Sequence, residues 1–107
     1  MIQLNGKCKE KFLEWYNKEY RGYHFYDTCN FSELSNVLQN ALIIEFFDSI
    51  EIIIQIHNVC DDWWFRVKSK TKTIKSEKYN EYKNRQQATI QAIEKANDLY
   101  NSRYENV

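Results

Sequence analysis

The sequence predicts an α+β fold: helix, helix, strand, strand, a segment that could add a short third strand, then helix, with a small antiparallel sheet carrying its helices on one face. Three observations predict it. Two runs between Ser49 and Thr73 alternate apolar and polar residues with a period of two. The segment joining them is far too short for a parallel crossover. The chain on either side instead repeats its apolar residues at three- and four-residue intervals, the spacing of a helix face.

The first helix starts at Asn5, a good N-cap residue, and runs to Arg21. Cys8, Phe12, Trp15, Tyr16 and Tyr20 form its apolar stripe, and Gly22 stands where a left-handed residue would end it. Tyr23 to Phe31 reads as an aromatic loop, with Asn30 or Ser32 placed to cap the next helix. That second helix spans Ser32 to Asp48, about four turns, on the pattern Leu34, Val37, Leu38, Ala41, Leu42, Ile44 and Phe46. Leu42 to Phe47 would also suit a strand. Helix is preferred because the pattern continues unbroken from Leu34 and Asp48-Ser49 is a poor hairpin turn.

In the first strand Ile52, Ile54 and Ile56 share the face that seeks a core, while Glu51, Gln55 and His57 share the wet one. Ile53 breaks the polar face. In the second strand Trp63, Phe65 and Val67 point inward and Trp64, Arg66, Lys68 and Lys70 outward. Asn58 to Asp62 forms the hairpin connection, without glycine or proline. Thr71 to Glu81 either prolongs the second strand or supplies a short third one around Thr73, Ile74 and Lys75. The last helix opens with Asn84 and Gln87, a capping box, and presents Ala88, Ala92, Ile93, Ala96, Leu99 and Tyr100 on one face to about Ser102. Its small residues let it approach the sheet closely.

At 107 residues the chain forms one domain, residues 1–107 with a frayed end at 103–107, and can bury roughly two-thirds of its unfolded surface without staples. Two glycines, no proline and 16% aromatic residues exclude a linker-rich or disordered chain. The first twenty residues carry Lys and Glu throughout, which argues against a signal peptide or a membrane span. Cys8, Cys29 and Cys60 are odd in number and scattered, as expected of reduced thiols in a cytoplasm.

The formal net charge is zero, yet the charges are segregated. Residues 27–62 hold seven acids and no Lys or Arg, while residues 63–85 hold eight bases against Glu77 and Glu81. Either the blocks lie together and neutralise each other, or a basic face is held for an anionic partner.

Catalytic and metal signatures are weak. His57 and Cys60 with Asp61 and Asp62 suggest a metal, but residues three apart on a strand face opposite ways, so no metal site is assigned. Glu45 and Asp48 share a helix face without a nearby histidine or glycine-rich loop and read as a solvated acidic edge. No nucleophile triad, phosphate loop or nucleotide fingerprint occurs, so no enzyme activity, cofactor or small-molecule substrate is expected. The candidate binding surface is the outward row Trp64, Arg66, Lys68, Lys70 and Lys72, with Ile53 beside it. An indole among cations suits a nucleic acid, and an exposed indole beside Ile53 suits a protein partner or a homodimer. An ordinary solvated sheet face would look the same.

Two blocks, Glu45-Phe46-Phe47-Asp48-Ser49-Ile50 and the run from Arg85 through Ala88, Ala92, Ile93, Lys95, Ala96, Asn97, Asp98, Leu99 and Tyr100 to Asn101, resemble small proteins encoded in phages and prophages of gut bacteria, a family without an assigned biochemical function. The resemblance covers roughly residues 25 to 102. It implies an accessory protein in a bacterial host cytoplasm and carries no catalytic residues. This chain departs from the pattern after Ile50, where Glu51 replaces an expected glycine. The order of elements also resembles that of double-stranded-RNA-binding domains, whose loop motif and lysine cluster are not reproduced.

Overall fold

The computed structural model describes residues 4–20, 31–78 and 80–105. Three α-helices, α1 (Gly6–Trp15), α2 (Asn36–Ser49) and α3 (Arg85–Glu105), accompany one antiparallel sheet of β1 (Ile53–Val59), β2 (Asp62–Lys68) and β3 (Thr73–Lys75), in the order β1-β2-β3. The α+β class and the order of elements are therefore those the sequence predicts. Thr73–Lys75 does form a third strand, and Leu42 to Phe47 is helix.

The α-helix that starts after Asn5 is shorter than its apolar stripe suggests. It ends at Trp15 and continues as a π-helical turn, Tyr16–Tyr20. The expected stop at Gly22, the aromatic loop and the Asn30 cap lie outside the described residues. Ser32 does not cap α2, because Phe31–Glu33 first makes a 3-10 turn. The cap is Ser35, whose Oγ accepts the Leu38 N–H at 3.3 Å. The buried Gln39 fastens the turn, its amide donating to the carbonyls of Phe31 (3.1 Å) and Leu34 (3.0 Å).

The end of α2 shows why a glycine would suit position 51. Ile52 N–H donates to Phe47 C=O at 2.9 Å and Glu51 N–H to Asp48 C=O at 3.1 Å, the two bonds of a Schellman motif. Its left-handed residue is Glu51, with φ of 65°. That conformation suits glycine and strains any residue with a Cβ. The motif turns the chain so that Ile52 packs with Phe47, both fully buried.

The core lies between α3 and the inner sheet face. Ile52, Ile54, Phe65 and Val67 meet Ala92, Ile93 and Ala96 of α3, with Phe46 and Phe47 of α2 and Phe12 and Tyr16 from the first helical segment closing the rest. Phe12 sits in an aromatic cluster, edge-on to Phe31 (4.8 Å between centroids) and to Phe46 (5.5 Å). At the start of α3 the predicted capping box forms with one displacement. Asn84 Oδ1 accepts the Gln87 N–H at 2.8 Å, while Gln87 Oε1 reaches back to the N–H of Lys83 at 3.4 Å. The helix continues to Glu105, beyond the apolar face that ends near Ser102.

Three asparagines tie α1 to α3. Asn5 N–H donates to Asn97 Oδ1 (3.1 Å), Asn97 Nδ2 to Asn5 Oδ1 (2.9 Å), and Asn101 Nδ2 to both the Asn5 carbonyl (3.0 Å) and Asn5 Oδ1 (2.8 Å). Asn101 Oδ1 then accepts the Cys8 N–H at 2.9 Å, so the N-terminus of α1 is capped from another helix. Gly6 permits this approach. Its φ is +60°, and a Cβ there would lie 3.0 Å from Asn101 Oδ1.

Candidate binding surface on the outer sheet face

Strand register places Ile53, Gln55, His57 and Val59 on the outer sheet face with Asp62, Trp64, Arg66 and Lys68 of β2 and Thr73 and Lys75 of β3. The direct cross-strand pairs are Ile53 with Lys68, Gln55 with Arg66, His57 with Trp64, Val59 with Asp62, Arg66 with Lys75 and Lys68 with Thr73.

Trp64 does face outward, but it is not the exposed anchor its position suggests: it is only 9% exposed. His57 stacks on it from across the strand pair at 4.2 Å between centroids, nearly parallel at 18°. The Arg66 guanidinium stands 5.4 Å from the ring centroid on the same face. An indole is large enough for such neighbours to cover it, whatever its place in the alternation. Arg66 is half-buried, and Lys68 is exposed at the end of β2.

Lys70 and Lys72 leave the row. Strand β2 stops at Lys68, and Ser69 closes a turn in which its N–H donates to Lys72 C=O (2.8 Å) while its Oγ accepts the Lys72 N–H (3.1 Å). The hydroxyl supplies the backbone with partners that a strand ladder would otherwise provide. Lys70 is exposed and ion-paired with Glu51 at 2.8 Å. The cation that sequence alternation missed is Lys75, which β3 brings directly opposite Arg66. Its signal was the Thr73-Ile74-Lys75 alternation.

The acidic and basic blocks meet. Besides Glu51 with Lys70, Asp62 accepts Lys83 at 2.7 Å. Lys70, Glu51 and Lys83 are largely solvated and Asp62 is half-buried, so the pairs contribute little stability, but they cancel charge between the segments.

Exposed apolar residues are the other property of this region. Ile53 is 39% exposed and Val59 50%, at opposite ends of β1. On α2, Val37 is 78% exposed beside Leu38. A helix apolar on both sides normally has neighbours on both.

The remaining candidates are placed as follows. Cys60 is exposed, with φ of 56°, at the first position of the two-residue loop Cys60-Asp61, while His57 is held on Trp64. A positive φ there and not at Asp61 is the pattern of a type II′ hairpin turn, tolerated here without glycine. Among the described residues no three His, Cys, Asp or Glu side chains are grouped for a metal ion. Glu45 and Asp48 are exposed, and partial burial pushes the Asp48 carboxyl up. Neither lines the groove of about 270 Å³ formed by Lys11, Glu14, Trp15, Lys18, Phe46, Ser49, Ile50 and Tyr100. Among the described residues no helix is long and apolar enough to cross a membrane.

Compared with protein-family models, curated proteins and solved structures, the chain matches none.

Proposed function

We propose that this chain is a non-catalytic module that acts by binding another protein chain, itself included, as a small accessory protein of the phage or prophage type in a bacterial cytoplasm. The observation that carries the reading is the large apolar side chains left in solvent on regular elements: Ile53 and Val59 on β1, Val37 and Leu38 on α2. Single exposed apolar residues need no explanation, but Val37 and Leu38 adjoin on one turn of α2, and contiguous exposed apolar surface marks a contact site. The phage assignment rests on the two sequence blocks that resemble phage-encoded proteins. The cytoplasmic assignment rests on those blocks and on the free thiols of Cys8 and Cys60.

Sedimentation of the purified chain over a concentration series tests the binding reading. Association that is lost when lysines replace either apolar pair, with the circular dichroism unchanged, supports it. A chain that stays monomeric and retains no protein partner contradicts it.

A second reading has one specific observation in its favour. Arg66 and Lys75 are held directly opposite each other with Lys68 adjoining, and like charges so placed repel unless an anion sits between them. A nucleic acid is the alternative partner for this face. Fluorescence anisotropy with generic RNA and DNA would then show binding that weakens steeply with salt and disappears on changing Arg66, Lys68 and Lys75 to Glu. Binding indifferent to those changes excludes the face.

A further inference from the structure

We infer that the free edge of β1 pairs antiparallel with β1 of a second copy about a two-fold axis at Ile56, joining two sheets into one of six strands. The inference deepens the protein-binding reading above and rests on it.

The edge has unused hydrogen-bonding groups whose direction follows from the bonds elsewhere in the sheet. Trp63 exchanges both backbone bonds with Tyr82, Ser76 N–H donates to Phe65 C=O, and Ser69 N–H to Lys72 C=O, so odd-numbered β2 residues aim their backbone toward β3. Even-numbered ones therefore bond to β1, at Ile53, Gln55, His57 and Val59. That leaves the N–H and C=O of Ile54, Ile56 and Asn58 pointing to the open side, where no described backbone group pairs with them. β3, the opposite edge, is three residues long and carries Lys75. β1 is seven residues long with no Lys, Arg or Pro, so it lacks the charges and breaks by which natural edges resist pairing.

The self-complementarity is specific to one register. With Ile56 opposite Ile56 of the second copy, Ile54 faces Asn58 of that copy, and the outward backbone groups meet as hydrogen-bonded pairs. Ile53 then faces Val59, so the two exposed apolar residues of the strand cover each other. Gln55 faces His57. Gln55 Oε1 and His57 Nε2, both buried side-chain atoms without a hydrogen-bond partner among the described residues, belong to these two facing residues. An edge-to-edge contact is small, which places its dissociation constant around the micromolar range or weaker.

The test is a set of three proteins followed by sedimentation up to about 200 µM, a range that spans such an affinity. The register predicts that the parent chain dimerises. Ile53→Lys with Val59→Lys places lysine against lysine and weakens the dimer at least tenfold. Ile53→Lys with Val59→Glu places lysine against glutamate and restores it. All three substitutions fall at two exposed positions, so the monomer fold is retained, which circular dichroism verifies. Parent dimers that persist in the double-lysine chain overturn the edge while leaving self-association standing. Loss of the dimer in both double variants overturns the register. A parent chain that is monomeric throughout overturns the edge and self-association together.

Discussion

The side-chain oxygen of Asn101 accepts the backbone N–H of Cys8 at 2.9 Å, so α1 takes its cap from a residue near the end of the chain. Asn5, the local cap residue, turns its own side-chain oxygen to Asn97 and Asn101 instead. The N-terminal helix is thereby fixed to α3 at one polar point in an otherwise apolar contact. Changing Asn101 to Ala removes the side-chain partner of the Cys8 N–H and leaves the Asn5 carbonyl with the Lys9 N–H alone, and should cost about 1–3 kcal/mol. Urea denaturation measures it. A loss below about 0.5 kcal/mol would mean that water replaces the amide without penalty and that the lock is not a stabilising element.

Glu51 holds a left-handed conformation that glycine adopts freely. Glu51→Gly should therefore raise stability by about 0.5–1 kcal/mol, despite losing the exposed ion pair with Lys70. A rise in melting temperature is the expected result, and Lys70→Met should leave it nearly unchanged. Destabilisation by Glu51→Gly would mean that the Schellman turn at the end of α2 is not formed as described.

The contact of α3 with the sheet depends on small residues. Ala92 is fully buried where the helix meets β1 and β2, so Ala92→Leu should cost about 1–3 kcal/mol by overpacking. Ile54→Ala, on the facing strand, should cost about 2–5 kcal/mol by leaving a cavity. Tolerance of both changes would move the core elsewhere.

These two changes lie on features that the sequence makes legible, and the reason is local. Ile52, Ile54 and Ile56 alternate within one strand, and Ala88, Ala92 and Ala96 recur within one helix, so each pattern carries its own period. The asparagine lock has no such signal, because Asn5 and Asn101 are 96 positions apart. The burial of Trp64 likewise has no signal in its own strand. Alternation places it on the outer face correctly, but its burial depends on His57 from another strand and on Arg66. Lys70 and Lys72 leave the outward row because a single hydroxyl, that of Ser69, closes the turn at the end of the strand. Alternation cannot see a side chain that takes over the backbone's bonds.

Cys8 is fully buried in the core, and burial pushes its thiol up from 9.0 to about 12. A folded-state value above the unfolded one means that its contribution to stability is complete below pH 9 and is lost as pH rises toward 12. In a chain carrying Cys29→Ser and Cys60→Ser, disulfide-exchange reagents should modify Cys8 only as fast as the protein opens, and stability should fall between those pH values. With Cys60 restored, one thiol should react at once, since it is exposed in the hairpin turn. Prompt reaction of Cys8 in the folded protein would contradict its place in the core.

Amide hydrogen exchange, measured residue by residue at high and at low protein concentration, tests the association through β1 most directly. The amides of Gln55, His57 and Val59 are bonded within the sheet and should be protected at either concentration. Those of Ile54, Ile56 and Asn58 point to the open edge and should be slow to exchange in concentrated protein and fast on dilution. If these three exchange equally fast at both concentrations, the edge of β1 is bare in solution and the proposed pairing does not occur.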